Sequence, residues 1–251
     1  MNVIEKLHRL YKIASYNRDW LKFIPLFANK DASRTERFRL RNGQVLEVPR
    51  DARFILNEIY LDRVYDVPTI KFAQLRHVLD LGANVGLFAT YIASQNPKAT
   101  IYCFEPAASN YQDLCINVQR NNVNARLFQS AVSLQDSKGY LSHRGTSVEY
   151  ALVDESEGST EEVMCVPFDK VFSLCGVDRF DLLKVDIEGH EKSLFEAASD
   201  DFLRKFDHLI VEWHYSLDEL EVLADRLRGV GFNAKTFVIE GHMRFLYASK
   251  L

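Results

Sequence analysis

No uncharged stretch in the 251 residues approaches the length of a membrane-crossing helix, so a spanning segment is excluded. The start of the chain has neither the apolar core nor the small-residue cleavage site of a secretory signal, and a cytoplasmic location is the expectation. Dense basic blocks are missing too. The formal charge is −4, and RLRNGQ and DRLRGV are too short to track a phosphate backbone, which argues against a nucleic-acid partner. The four cysteines, Cys103, Cys115, Cys165 and Cys175, show no C-x-x-C spacing. A zinc site is therefore not expected, and the first two, on apolar faces, read as reduced, buried small hydrophobes. What remains is an ordinary globular composition, 47% apolar and 26% charged, long enough for one large domain with an N-terminal extension.

Residues 1–30 are helical in pattern, with Leu7, Leu10 and Ala14 on one face and a second cluster at Leu21, Ile24, Leu26 and Phe27. Such a helix packs on the domain or on a second subunit, which leaves a homodimer open; acids interrupt its basic face, against membrane docking. RFRLRNGQVLEV, 37–48, alternates around Asn42-Gly43 and predicts a β-hairpin. We divide the chain into an extension, 1–70, and a main domain, 71–251.

The main domain alternates strand and helix. A strand at 77–82 precedes a helix with Val85, Phe88, Ala89, Ile92 and Ala93 in one stripe. A strand at 100–105, a helix burying Tyr111, Leu114, Cys115 and Val118, and a third strand near 125–131 follow. The polar, acidic stretch 135–162, with short alternating segments at 138–142 and 162–166, breaks the rhythm and reads as a lid, a specificity insert or a disordered loop, and as a lid it would cover donor and acceptor together. Alternation resumes with FDLLKVDIEGHE, then HLIVEWH at 208–214, a helix announced by the capping-box pair Ser216 and Glu219, and strands near 232–239 and 242–249 joined at Glu240-Gly241. Parallel strands closing in an antiparallel hairpin outline an α/β, Rossmann-like class I methyltransferase fold, with a mostly parallel seven-stranded sheet.

The densest signal is HVLDLGANVG, 77–86, a buried-strand run that breaks into a glycine turn opening a helix. Twenty-three residues after Gly82, TIYCFEP carries Glu105, near where nucleotide-binding α/β units place the acid that grips a ribose diol. In a G-x-G-x-x-G loop the second and third glycines admit a pyrophosphate and close helix packing. Here Asn84 and Leu87 occupy those positions. S-adenosylmethionine has no phosphate; its amino-acid tail suits Asn84 and the turn amides, and its ammonium suits Asp80.

The chain resembles the FkbM-type S-adenosylmethionine-dependent methyltransferases in VLDLGANVG at 78–86, CFEP at 103–106, QSAVS at 129–133, LLKVDIEGHE at 182–191 and VEWH at 211–214. The resemblance implies that Asp80, Gly82, Asn84 and Gly86 line the methionine end of the cofactor, that Glu105 holds the ribose, and that Ser130 or Ala131 lies near the adenine. It further implies a hydroxyl acceptor on a small molecule such as a sugar or natural product.

Residues two apart in a strand share a face. Asp186 and Glu188, and likewise Glu212 and His214, should therefore reach the carboxyl edge of the sheet together, with Asp186 also at the methyl donor. Clustered acids and an imidazole can provide a general base. A divalent ion, magnesium or calcium rather than zinc, is the alternative device, since Asp186 and Glu212 resemble in topology the strand-end acids with which some class I O-methyltransferases hold one. The resemblance itself implies no metal, and no metal ligand is assigned from it. Lys184 reads as a partner for an acid, Glu191 as a helix cap, and His190 as a weak substrate contact. An NAD(P)-dependent oxidoreductase and a catalytically silent adenosine-binding interaction module are the competing readings.

Overall fold

The computed structural model describes residues 3–23, 35–143, 146, 149–153, 161–239 and 243–250. In chain order the elements are α1 (Val3–Tyr16), β1 (Thr35–Arg39), β2 (Val45–Pro49), α2 (Arg53–Asn57), β3 (His77–Leu81), α3 (Leu87–Gln95), β4 (Thr100–Phe104) and α4 (Ala108–Arg120). There follow β5 (Ala125–Phe128), β6 (Ala131–Ser133), β7 (Ser137–His143), β8 (Tyr150–Val153), β9 (Glu161–Pro167), α5 (Val171–Cys175) and β10 (Phe180–Val185). The chain closes with α6 (Glu191–Ala197), α7 (Asp200–Leu203), β11 (Phe206–Trp213), α8 (Leu217–Val230), β12 (Phe232–Ile239) and β13 (Met243–Lys250).

Seven strands form the main sheet in the order β12-β13-β11-β10-β3-β4-β5. β11, β10, β3, β4 and β5 pair in parallel, and β13 enters antiparallel between β11 and β12. This is the class I methyltransferase arrangement, with its reversed seventh strand. The apolar runs fill both faces, as a covered parallel sheet requires. Val78, Ile101 and Leu182 face the α3 side with the N-terminal hairpin, whereas Leu79, Tyr102 and Leu183 face the α8 side.

The hairpin β1–β2 forms as the alternation predicts and docks on α4 through amide side chains. Asn117, fully buried, accepts from the Glu47 N–H at 2.7 Å and donates to the carbonyls of Glu47 at 2.8 Å and Val85 at 2.7 Å. Asn117→Ala should therefore cost about 2 kcal/mol, measured by urea unfolding. Asn121, half-buried and repeating the pattern on Val45 at 2.9 Å, should cost less.

Four expectations change. α1 ends at Tyr16, and of its described side chains Ile13 is the buried one, with Asn17 buried just beyond it, while Leu7 is exposed; Ile24, Leu26 and Phe27 lie outside the described residues. The single strand near 125–131 divides at Gln129–Ser130, because β5 extends the main sheet while β6 pairs with β9 in another. The 135–162 insert is no plain loop: β6-β9-β7-β8 make a four-stranded sheet whose Ala131, Leu141, Val163 and Cys165 pack with Ala107. Its short alternating runs were readable, but their pairing depends on register between distant segments. Cys103 is buried as expected, but Cys115 is only partly so.

Candidate active site at the carboxyl edge of the sheet

Beyond β3 the backbone folds under the end of β10. Gly82 takes φ 76°, and a Cβ there would stand 1.7 Å from the backbone oxygen of Asp186. The N–H groups of Gly82 and Ala83 donate to the Phe104 carbonyl at 3.0 and 2.9 Å. Asn84 sits at φ 51°, a left-handed conformation that asparagine tolerates better than most residues. Its side-chain oxygen accepts from the Val85 N–H at 2.8 Å. Gly86, at φ 82°, caps α3, and a Cβ there would meet the Leu114 side chain at 2.6 Å.

Glu105, 4% exposed, follows β4. One carboxylate oxygen accepts from the Asn84 N–H at 2.8 Å and the other from the Ala107 N–H at 3.0 Å, and the Asn110 side chain also bonds to the carboxylate. Burial pushes its pKa up to about 7, against the pull of these donors.

Gly82, Asn84, Glu105, Ser130, Ala131, Asp186 and Glu188 line one crevice, closed by Leu141, Tyr150 and Leu152 of the smaller sheet. Its described lining includes three carboxylates and no Lys or Arg, a charge set that repels a pyrophosphate. The crevice suits an uncharged nucleoside with a cationic sulfur, so the residues fit S-adenosylmethionine.

Two residues expected at the cofactor do not line this crevice. Gly86 serves helix packing. Asp80 is fully buried beside its cross-strand neighbour Lys184, whose ammonium stands 3.2 Å from the Asp80 carboxylate and 3.6 Å from Asp186 and donates to the Gly82 carbonyl at 2.7 Å. Burial pulls the Lys184 pKa down, but Asp80 and Asp186 outweigh it and hold the group above its usual value.

A larger chamber adjoins the crevice and shares Gly82, Asn84, Asp186 and Glu188 with it. Its lining includes Phe54 and Ile55 of α2, Glu58 and Ile59 of the π-turn that follows, Tyr65, and Met243 and Arg244 of β13. The insert was expected to cover this space. Of its described residues only Glu149 reaches the chamber, and the rest of the lining insert residues face the crevice. No sequence pattern marked 54–65, because its contribution depends on how α2 packs rather than on a motif.

β10 and β11 are adjacent and parallel, and Asp186, Glu188, Glu212 and His214 converge on the chamber. The strand-parity argument does not extend to Glu188: β10 ends at Val185, and Glu188 reaches the site because the loop turns at its φ of 55°. Glu191 does more than begin α6. Fully buried, it accepts from the N–H groups of Ile187 at 3.1 Å and Gly189 at 3.2 Å and binds His214 Nδ1 at 2.9 Å. Burial lowers the His214 pKa, but the Glu191 hydrogen bond and the surrounding acids prevail and push it to about 10. Burial and the Asp186 charge push Glu188 to about 7 and Glu212 well above the usual carboxylate range.

A family model described as "Methyltransferase FkbM domain" matches residues 80–234. The 31-O-demethyl-FK506 methyltransferase FkbM of Streptomyces tacrolimicus is 26% identical over 230 residues, covering 78% of this chain and 88% of that protein. The AMB antimetabolite synthetase AmbE of Pseudomonas aeruginosa is 26% identical over 241 residues, covering 78% of this chain but 11% of that much longer protein. Among solved structures, the delta-N METTL16 MTase domain aligns with a TM-score of 0.49 at 14% identity, over 84% of this chain and 90% of that one.

Proposed function

The chain belongs to the methyltransferase FkbM domain family, and from that premise we propose that it transfers the methyl group of S-adenosylmethionine to a hydroxyl of a small molecule such as a sugar or natural product. The observation that supports the reading is the meeting of two chambers at Gly82, Asn84, Asp186 and Glu188, one with no Lys or Arg among its described lining residues, the other larger.

When bound, the cofactor supplies an electrophilic methyl on a positively charged sulfur. Glu105 would accept hydrogen bonds from the ribose hydroxyls, the Asn84 turn would hold the amino-acid tail, and Ser130 and Ala131 would border the adenine. Asp186 and Glu188 stand at the junction, where their charge favours the sulfonium. Glu188, which borders both chambers, accepts the proton that the acceptor hydroxyl releases. The wall at 54–65 keeps water from the acceptor, and alignment across the shared boundary provides much of the rate.

Calorimetry with S-adenosylmethionine and with NAD separates this reading from an oxidoreductase, and recovery of a methyl ether from acceptor pools incubated with labelled donor separates it from a silent binding module. The cofactor affinity should also titrate. Glu105 is about half protonated near pH 7 in the free protein, and only the ionised form accepts both ribose hydroxyls. Affinity should fall as pH drops below about 7, approaching tenfold per unit, and level off above it. Glu105→Gln should weaken binding by about 1–3 kcal/mol and flatten that part of the profile. Parallel profiles for the two proteins, with the fold intact, would refute the assignment of Glu105.

A further inference from the structure

We propose that Asp186, Glu212 and His214 form a binding site for a divalent transition-metal cation, with Mn2+ the ion best matched to the ligand set. One ligand atom from each residue lies within 4.8 Å of the others, the spread that an ion bonded at roughly 2.0–2.4 Å can span. The ion's place beside the methyl acceptor rests on the reading of the second chamber given above; its binding does not.

The second atom of each ligand is already engaged. The Oδ2 of Asp186 stands 3.6 Å from the Lys184 ammonium, leaving Oδ1 toward His214. The Oε2 of Glu212 accepts from the Tyr65 hydroxyl at 3.4 Å, leaving Oε1. The Nδ1 of His214 is bound by buried Glu191, whose carboxylate is itself fixed by the Ile187 and Gly189 amides. This fixes the ring and aims Nε2 at Asp186 Oδ1, 4.0 Å away, and Glu188 Oε2, 3.6 Å away, and an ion binding there displaces to solvent the proton that these acids hold on the imidazole. A buried carboxylate behind a histidine whose far nitrogen faces two carboxylates is the outer support that metal-ligating histidines use. Lys184, which also lines the chamber, is held between Asp80, the Gly82 carbonyl and the Oδ2 of Asp186, so the Oδ1 of Asp186 is the atom left for an ion.

The donor set selects among ions. Two carboxylates alone favour magnesium or calcium; adding an imidazole shifts preference toward a first-row ion, and the lack of a thiolate disfavours the softer ones. Glu191 is then a positioning residue that acts through His214.

The full-length protein, stripped with a chelator, is titrated with MnCl2 and followed by calorimetry and by the electron paramagnetic resonance of free Mn2+. The expected result is one bound ion per chain, a histidine-nitrogen coupling in the pulsed spectrum, loss of binding in Glu212→Gln and His214→Ala, and about 10–100-fold weaker binding in Glu191→Gln with the nitrogen coupling altered. Thermal melts of the metal-free variants check that each is folded. Absence of Mn2+ binding up to about 1 mM, binding unchanged in both ligand variants, or Ca2+ bound more tightly than Mn2+ would each overturn the site. S-adenosylmethionine affinity of the metal-free protein is read in the same calorimeter, so a failed metal site and a failed cofactor reading give different results.

Discussion

Lys184→Met should lower the stability of the fold by about 3–5 kcal/mol, read as a reduced urea midpoint with the slope unchanged. Lys184 and Asp80 face each other across β3 and β10 at the centre of the sheet, 3.2 Å apart and both buried. Removing the ammonium leaves a carboxylate with no countercharge in a site that solvent does not reach, and Asp80 must then take up a proton or draw in water. The Gly82 carbonyl, held by the same ammonium at 2.7 Å, also loses its donor. The remedy is specific: Lys184→Met combined with Asp80→Asn removes both charges and should regain more than half of the loss. A double variant as unstable as the single one would mean that packing volume, not charge, is what Lys184 contributes.

That pair shows what local pattern reveals and what it does not. Lys184 inside an apolar strand run was readable as the partner of an acid. Which acid depends on strand order and register, and these set Lys184 opposite Asp80 while leaving Asp186 at the crevice. Gly82, Asn84 and Glu105 were legible as a motif because one βαβ element sets their spacing, although the strand end that crowds Gly82, that of β10, comes from far along the chain. The residues that shape the second chamber were not. Phe54, Glu58 and Tyr65 come from a segment with no repeat or motif, and Glu191 resembles any acid in a first helical turn until its contact with His214 is seen. Both are set by long-range packing, which sequence periodicity does not encode.

Gly82→Ala should abolish cofactor binding and cost about 3 kcal/mol or more of stability. Two penalties combine. The backbone at φ 76° is left-handed, costing a residue with a Cβ roughly 1–2 kcal/mol. The new Cβ would also lie 1.7 Å from the Asp186 carbonyl oxygen and 2.8 Å from its carbon. Those are backbone atoms, so no rotamer relieves the contact. Instead β3 and β10 must part at the point where the Asp186 N–H donates to the Leu81 carbonyl at 3.1 Å, and Asp186 moves with them. The other glycines grade the effect. At Gly86 the obstacle is the end of the Leu114 side chain at 2.6 Å, which can turn aside, so Gly86→Ala should be milder. At Gly43, φ 97°, nothing lies within 4 Å, and Gly43→Ala should cost only the backbone term, about 1–2 kcal/mol. Unfolding midpoints of the three variants should fall in that order, with cofactor affinity lost at Gly82 and retained at Gly43. Equal losses at Gly82 and Gly43 would show that left-handed geometry alone, and not the close approach of the two strand ends, is what reserves Gly82 for glycine.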